Sequence, residues 1–363
     1  VQAAIDRLPE EGGRVCLNPG VHRLRRPLFI EGRNNLTLLG CGPGSKLVFD
    51  PDPVPDSGPG VVLVVGSSHN VAIENLSIYT DSNNPIVFVD EASAEVAVTD
   101  AVLVSAALKD CVVLGRCSDV TVQRSKLLGR RGVVQADDTL LNEWVVLVDG
   151  LRPADDDDVA SGDDVDPTHG IAVVPPEPVD VEVLRGLRVD DNDVLASSVG
   201  VDLGDALDGR IDGNRIRAAG KRLLERFRRP APDVGDDPDA PLTDVDDEPF
   251  FESLHRSFPA LDLDPARAEQ SLGGLRWGIR ACLIDTFAVR ENRVWAGRGI
   301  ELAFSRSVRA EENRLWCAAA GMVLANAFDL VTQSNAISVA AGQPADDDPG
   351  DDPASALTRT VHG

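Results

Sequence analysis

Three short segments near the C-terminal end of the chain repeat at an almost fixed step. Phe287-Ala-Val-Arg-Glu-Asn-Arg-Val, Arg306-Ser-Val-Arg-Ala-Glu-Glu-Asn-Arg-Leu and Asp329-Leu-Val-Thr-Gln-Ser-Asn-Ala-Ile carry Asn292, Asn313 and Asn335 in steps of 21 and 22 residues. A second marker runs in phase, because Gly299-Ile-Glu-Leu and Gly321-Met-Val-Leu lie 22 residues apart. Each unit holds two or three strand-like runs between polar turns, and none is long enough for a helix. So small a unit has no core of its own and must bury its apolar side on its neighbours. The pattern predicts a coiled ribbon of parallel strands, one winding per repeat. Asparagine tolerates left-handed dihedrals at a turn. Its amide also reaches the equivalent amide one winding away, about 4.8 Å along the stack. The simpler alternative, an asparagine that only marks a surface turn, does not explain why the glycine marker keeps the same phase.

A chain of 363 residues is long enough for two or three ordinary domains, but a solenoid can be a single one. The apolar fraction is 43% while aromatics are 4%, so Val, Leu, Ala and Ile must do the filling, as small stacked windings require. A formal charge of −25 argues against nucleic acid or an anionic membrane as partner. No run of 18 apolar residues suggests membrane insertion. The chain does not begin with Met, and we expect it to be a segment of a larger polypeptide. The six cysteines (Cys16, Cys41, Cys111, Cys117, Cys282, Cys317) show no Cys-x-x-Cys pair, and contexts such as Val-Cys-Leu point to buried thiols packed as small hydrophobes.

At the N-terminal end, Val1, Ile5 and Leu8 share one face of a helix predicted over residues 1–8, which would cover the open first winding. Gln2-Ala-Ala-Ile-Asp, followed by Gly12-Gly13-Arg-Val-Cys-Leu-Asn-Pro-Gly-Val-His, resembles the opening of pectin-lyase-like right-handed parallel β-helix proteins. In that superfamily a capping helix leads into Gly-Gly-x-Val-x-Leu-Pro-Pro-Gly, from which this chain departs at Asn18. Asn34-Asn-Leu-Thr-Leu-Leu-Gly-Cys-Gly looks like the family's next winding. The resemblance implies an all-β fold, a single right-handed parallel β-helix over residues 1–340. It is nearly silent on activity, since the superfamily holds lyases, hydrolases, phage tailspikes and non-catalytic modules.

Segments at His69, Ser118, Leu187 and Arg210 repeat the pattern, giving about eight or nine windings in all. Against that template Asn75 falls one residue early, and Ser125 takes the asparagine place. Residues 50–60 and 153–168 read as surface loops. A helical insertion is expected over about 221–276, with Phe227, Phe250, Phe251 and Phe258 packed on the flank of the solenoid. Residues 341–363 read as an acidic disordered tail.

Aligning the Gly-marked strands puts Ala172, Asp202, Arg280, Glu301 and Val323 in one outward ladder. Asp202, Arg280 and Glu301 are therefore the candidate site. Two carboxylates and an arginine can bind sugar hydroxyls, hold a cation or do acid–base work. The alternative is an ordinary ion-pair ladder across windings. Asp163, Asp164 and Asp166, followed by His169, are candidate calcium ligands on the acidic loop, although their spacing matches no EF-hand. The resembled polygalacturonases carry Asn-Thr-Asp, paired aspartates, Gly-His-Gly and Arg-Ile-Lys, and this set does not carry over: Thr168-His169-Gly170 only echoes the third, and Asp190-Asp191 lies in the asparagine-turn approach rather than after a Gly-marked strand. The expectation is thus a non-catalytic structural or recognition module binding a polysaccharide or cell-surface glycan on its lateral face. Its setting would be extracellular or within a phage-tail-like assembly, with homo-oligomerisation open. The rival is a polysaccharide lyase or glycoside hydrolase with an atypical carboxylate and arginine site.

Overall fold

The computed structural model describes residues 1–49, 61–80, 85–90, 93–136, 183–219 and 275–339, together with the backbone of 359–362. Both surface loops, the insertion up to residue 274 and most of the acidic tail lie outside the described residues. What is described is a three-faced solenoid whose strands pair parallel from one winding to the next. The first face is a sheet that starts at Gly13–Leu17, Asn34–Gly40 and His69–Glu74 and ends at Val331–Gln333, ten windings deep. The second and third faces share one 16-stranded sheet, because long strands such as Asp193–Leu203, Arg293–Ala303 and Arg314–Ala325 bend from one face into the other. The winding that sequence reading overlooked starts at Ser93–Thr99. It carries Ala101 where later windings carry asparagine, so the marker was absent.

The expected asparagine ladder is present. Asn192, Asn214, Asn292, Asn313 and Asn335 stack inside the solenoid, the first four with 0–1% of their surface exposed. Each of the first four side-chain amides donates to the side-chain oxygen of the next at 3.0 Å and to a backbone carbonyl at 2.6–2.9 Å, and Asn335 donates to the Ala310 carbonyl at 2.7 Å. The dihedral rationale for these positions is corrected. The left-handed residue is the one before each ladder position: Asp191, Gly213, Glu291, Glu312 and Ser334 have φ between 54° and 65°. Asn75 belongs to that column with φ 53°, which is why it fell one residue early; Leu76, fully buried, takes the inward place.

The glycine marker has a steric cause. Gly132, Gly200, Gly278, Gly299 and Gly321 line the inner bend between the second and third faces. A Cβ on Gly278 would stand 2.1 Å from Val294 Cγ1 and 2.7 Å from the Gly299 carbonyl oxygen.

Helix Gln2–Asp6 closes the N-terminal end as expected, with Ile5 buried and Val1 and Leu8 against the core. Gln2 stands in for a missing strand. Its amide donates to the Phe29 carbonyl at 3.0 Å and accepts from the Phe29 N–H at 2.8 Å. At the other end, Arg359–His362 pairs antiparallel with Ala336–Val339. The tail read as disordered therefore contributes a strand to the last open edge. All six cysteines are free. Cys111, Cys117 and Cys317 are buried as expected, but Cys16 and Cys41 are exposed. Strand alternation turns Val15 and Leu17 inward, and so Cys16 outward.

Candidate functional site

The alignment that placed Asp202, Arg280 and Glu301 in one column is correct in register. Asp202 pairs with Arg280 and Arg280 with Glu301 on successive windings, with Val323 next. All lie on the third face, just after the glycine bend. The neighbour on the other side of Asp202 is Val134; Ala172, which the alignment put there, lies outside the described residues. So do Asp163, Asp164, Asp166 and His169. Among the described residues no group of three His, Cys, Asp or Glu side chains is close enough to hold a metal ion.

Asp202 is nearly buried, and two guanidinium groups converge on it. Arg280 donates through Nε and Nη2 to the two carboxylate oxygens, both at 2.7 Å. Arg131 adds an Nη1 contact at 3.3 Å and forks onto Asp110 with Nε at 3.0 Å and Nη2 at 2.7 Å. The lateral face thus carries an alternating series: Asp110, Arg131, Asp202, Arg280, Glu301. Hydrogen bonds donated to Asp202 hold the Arg280 guanidinium above its ordinary pKa against the opposing effect of partial burial, with the charges of Asp202 and Glu301 adding to them. Glu301 itself is half-buried and makes no side-chain hydrogen bond or ion pair among the described residues.

Arg131 and Asp110 were missed by sequence reading, although a signal existed. Arg131-Gly132-Val133-Val134 is another Gly-marked strand, one winding before Gly200-Val201-Asp202. Beside the column, the Arg298 guanidinium lies 4.5 Å from the ring centre of Trp277. That indole is already covered, so it is no open stacking platform.

What can this arrangement do? A carboxylate held by two guanidinium groups has few lone pairs left for a substrate. Glu301 and the outer edge of Arg280 remain as accessible acceptor and donor. This is the equipment of a polar recognition surface.

No family model and no curated protein matches the chain. Solved structures do. The enzymatically active domain of tailspike protein 2 from bacteriophage CBA120 aligns with 93% of this chain and 40% of its own, at 11% identity and a TM-score of 0.53. Full-length tailspike protein 2 from Escherichia coli O157:H7 bacteriophage CAB120 gives the same identity and TM-score over 93% and 36%. DFA-IIIase from Arthrobacter chlorophenolicus A6 aligns over 85% of this chain and 61% of its own, at 12% identity and a TM-score of 0.46. The chain therefore spans well under half the length of the two tailspike chains, and likeness at such identities concerns fold alone. With its three faces of parallel strands, its helical cap and its inward asparagine and glycine columns, the chain has the fold of a right-handed parallel β-helix.

Proposed function

We propose that the chain is a recognition module of a larger protein, binding a glycan across the charged column of the third face without cleaving it. The observation carrying this reading is the saturation of Asp202. Glycoside hydrolysis needs two carboxylates free to act on either side of the bond. Here Asp202 is held by Arg280 and Arg131. A lyase would need Arg280 to give up its proton, and its hydrogen bonds to Asp202 hold that proton more tightly. The alignment of 93% of the chain with 40% of a tailspike domain supports a module within a longer extracellular or tail-like assembly. Whether copies of the chain associate is a separate question for light scattering.

The test is a panel of neutral and acidic oligosaccharides assayed for binding and for turnover. Binding weakened by Glu301→Gln, with neither unsaturated uronides nor new reducing ends, is the expected result. Turnover lost in Asp202→Asn or Glu301→Gln would instead establish the enzyme reading.

A further inference from the structure

The C-terminal end of the solenoid differs from the windings beneath it. Residues 278–298 and 299–320, the two preceding windings, carry six charged side chains each, while residues 321–339 carry Asp329 alone. The loss falls on outward positions. In their columns Val323 follows Glu301, Phe328 follows Arg306, Val331 follows Arg309, Gln333 follows Glu311 and Ala336 follows Arg314. Inward positions keep their kind, since Leu324 and Ile337 continue the columns of Leu302 and Leu315. The last winding thus keeps the interior of the fold and gives up its outer charge.

This end is also open. Among the described residues, 322–325 on the third face and Val331–Gln333 on the first pair only with the winding beneath them. Every exposed large hydrophobic side chain among the described residues lies between Leu283 and Val331. Leu324, Phe328 and Val331, at 45%, 69% and 45% exposure, belong to this last winding. The ladder stops here as well. Asn335, only 9% exposed, accepts from Asn313, but no further asparagine accepts from its own backbone N–H and second amide hydrogen. Natural proteins guard a free sheet edge with charge, proline or a cover. Neither edge segment holds a charge or a proline. Apolar side chains in place of charged ones are the composition of an interface core.

We infer that a second copy of this chain covers the end, C-terminal end to C-terminal end about a two-fold axis, with the free edges pairing antiparallel. The end already takes a strand in that sense, Arg359–His362 on Ala336–Val339. Strands brought together by a two-fold axis across the solenoid run antiparallel too. The first winding of another copy cannot continue the stack, because helix Gln2–Asp6 closes that end. Two chains of net charge −25 repel each other, and the uncharged winding is the surface on which they can meet. Residues 340–358 are by composition a poor cover, with five aspartates, three prolines and Leu357 as their one large apolar residue. Such a contact is the same patch on both copies, so it closes at two and builds no filament. It is independent of what the third face binds.

Sedimentation of the full chain over a range of concentrations should show a monomer–dimer equilibrium and nothing larger. Hydrogen exchange should show the backbone amides of 322–325 and 331–333 gaining protection as the dimer forms. Phe328→Arg with Val331→Arg puts back the charges of the preceding winding at exposed positions, so circular dichroism should match the parent chain. The four arginines then meet across the interface, and the dimer dissociation constant should rise about a hundredfold. Thr37→Arg with Ala72→Arg, the same added charge on the first face near the other end, should leave it unchanged. A monomer at every concentration overturns the inference, whether its end amides exchange freely or are already protected by the chain's own residues. So does a trimer or an open-ended series of copies, a dimer that Phe328→Arg with Val331→Arg leaves intact, or new protection confined to other strands.

Discussion

Replacing Asn292 with alanine tests the ladder where it is most deeply enclosed. The side chain is fully buried and takes part in four hydrogen bonds. Its oxygen accepts from the Asn214 backbone N–H at 3.1 Å and from the Asn214 amide at 3.0 Å. Its own amide donates to the Ile211 carbonyl at 2.9 Å and to Asn313 Oδ1 at 3.0 Å. Two of these partners keep an alternative: the Asn214 amide still reaches the Val189 carbonyl, and Asn313 Oδ1 still accepts from the residue 292 backbone. The Asn214 N–H and the Ile211 carbonyl are left buried with one partner fewer. At about 1 kcal/mol per bond, with a further desolvation cost for the stranded N–H, Asn292→Ala should lose about 4 kcal/mol. Asn335→Ala is the internal comparison. It sits near the open end at 9% exposure, where water can replace the amide, and about 1 kcal/mol is expected. Urea unfolding followed by circular dichroism gives both values, and hydrogen exchange should show the Asn214 amide losing protection. If the two variants cost the same, or Asn292→Ala costs under about 1 kcal/mol, the ladder contributes little to stability and the argument from burial fails.

Three further outcomes follow from the geometry. Gly278→Ala drives a Cβ into Val294 and the Gly299 carbonyl and should cost at least about 2 kcal/mol by thermal melt, while the same change at Gly204, whose Cβ would meet nothing within 4 Å, should be almost silent. Asp202→Ala leaves Arg280 half-exposed and Arg131 still held by Asp110, so about 2 kcal/mol is expected, and a loss near zero would mean the column is loosely held. Burial raises the Cys111, Cys117 and Cys317 thiols, the last to about 12 from an ordinary value near 9. At high pH the unfolded state therefore binds fewer protons than the native state, so this contribution is complete below about pH 9 and is lost as pH climbs toward 12. Native labelling should reach Cys16 and Cys41 but not these three.

How much of this was legible in the chain follows from which residues point inward. The ladder asparagines and bend glycines are dictated by contact with the winding above and below. They recur with the period of the fold and can be read from one sequence. The same period placed Asp202, Arg280 and Glu301 in register before any coordinates. It failed where inward chemistry changed: Leu76 and Ala101 fill the ladder column with apolar side chains, so the Ser93–Thr99 winding carried no marker. It also failed for the left-handed column, because Asp191, Gly213, Glu291 and Ser334 share a conformation but no one residue type. Arg131 was missed although its glycine was in phase, since a long stretch of sequence separates it from Asp202.

Outward positions obey no such period, and that is what makes them informative. In a stacked solenoid an outward side chain is free to drift unless a neighbour or a ligand restrains it. Asp202 and Arg280 are restrained by each other, so their identity is explained within the chain and says little about a ligand. Val323, Phe328 and Val331 instead take places that hold Glu301, Arg306 and Arg309 one winding earlier, and no strand among the described residues covers them. The paired column therefore argues for rigidity of the third face, with Glu301 its open acceptor. The uncharged winding argues for something outside the chain that completes it.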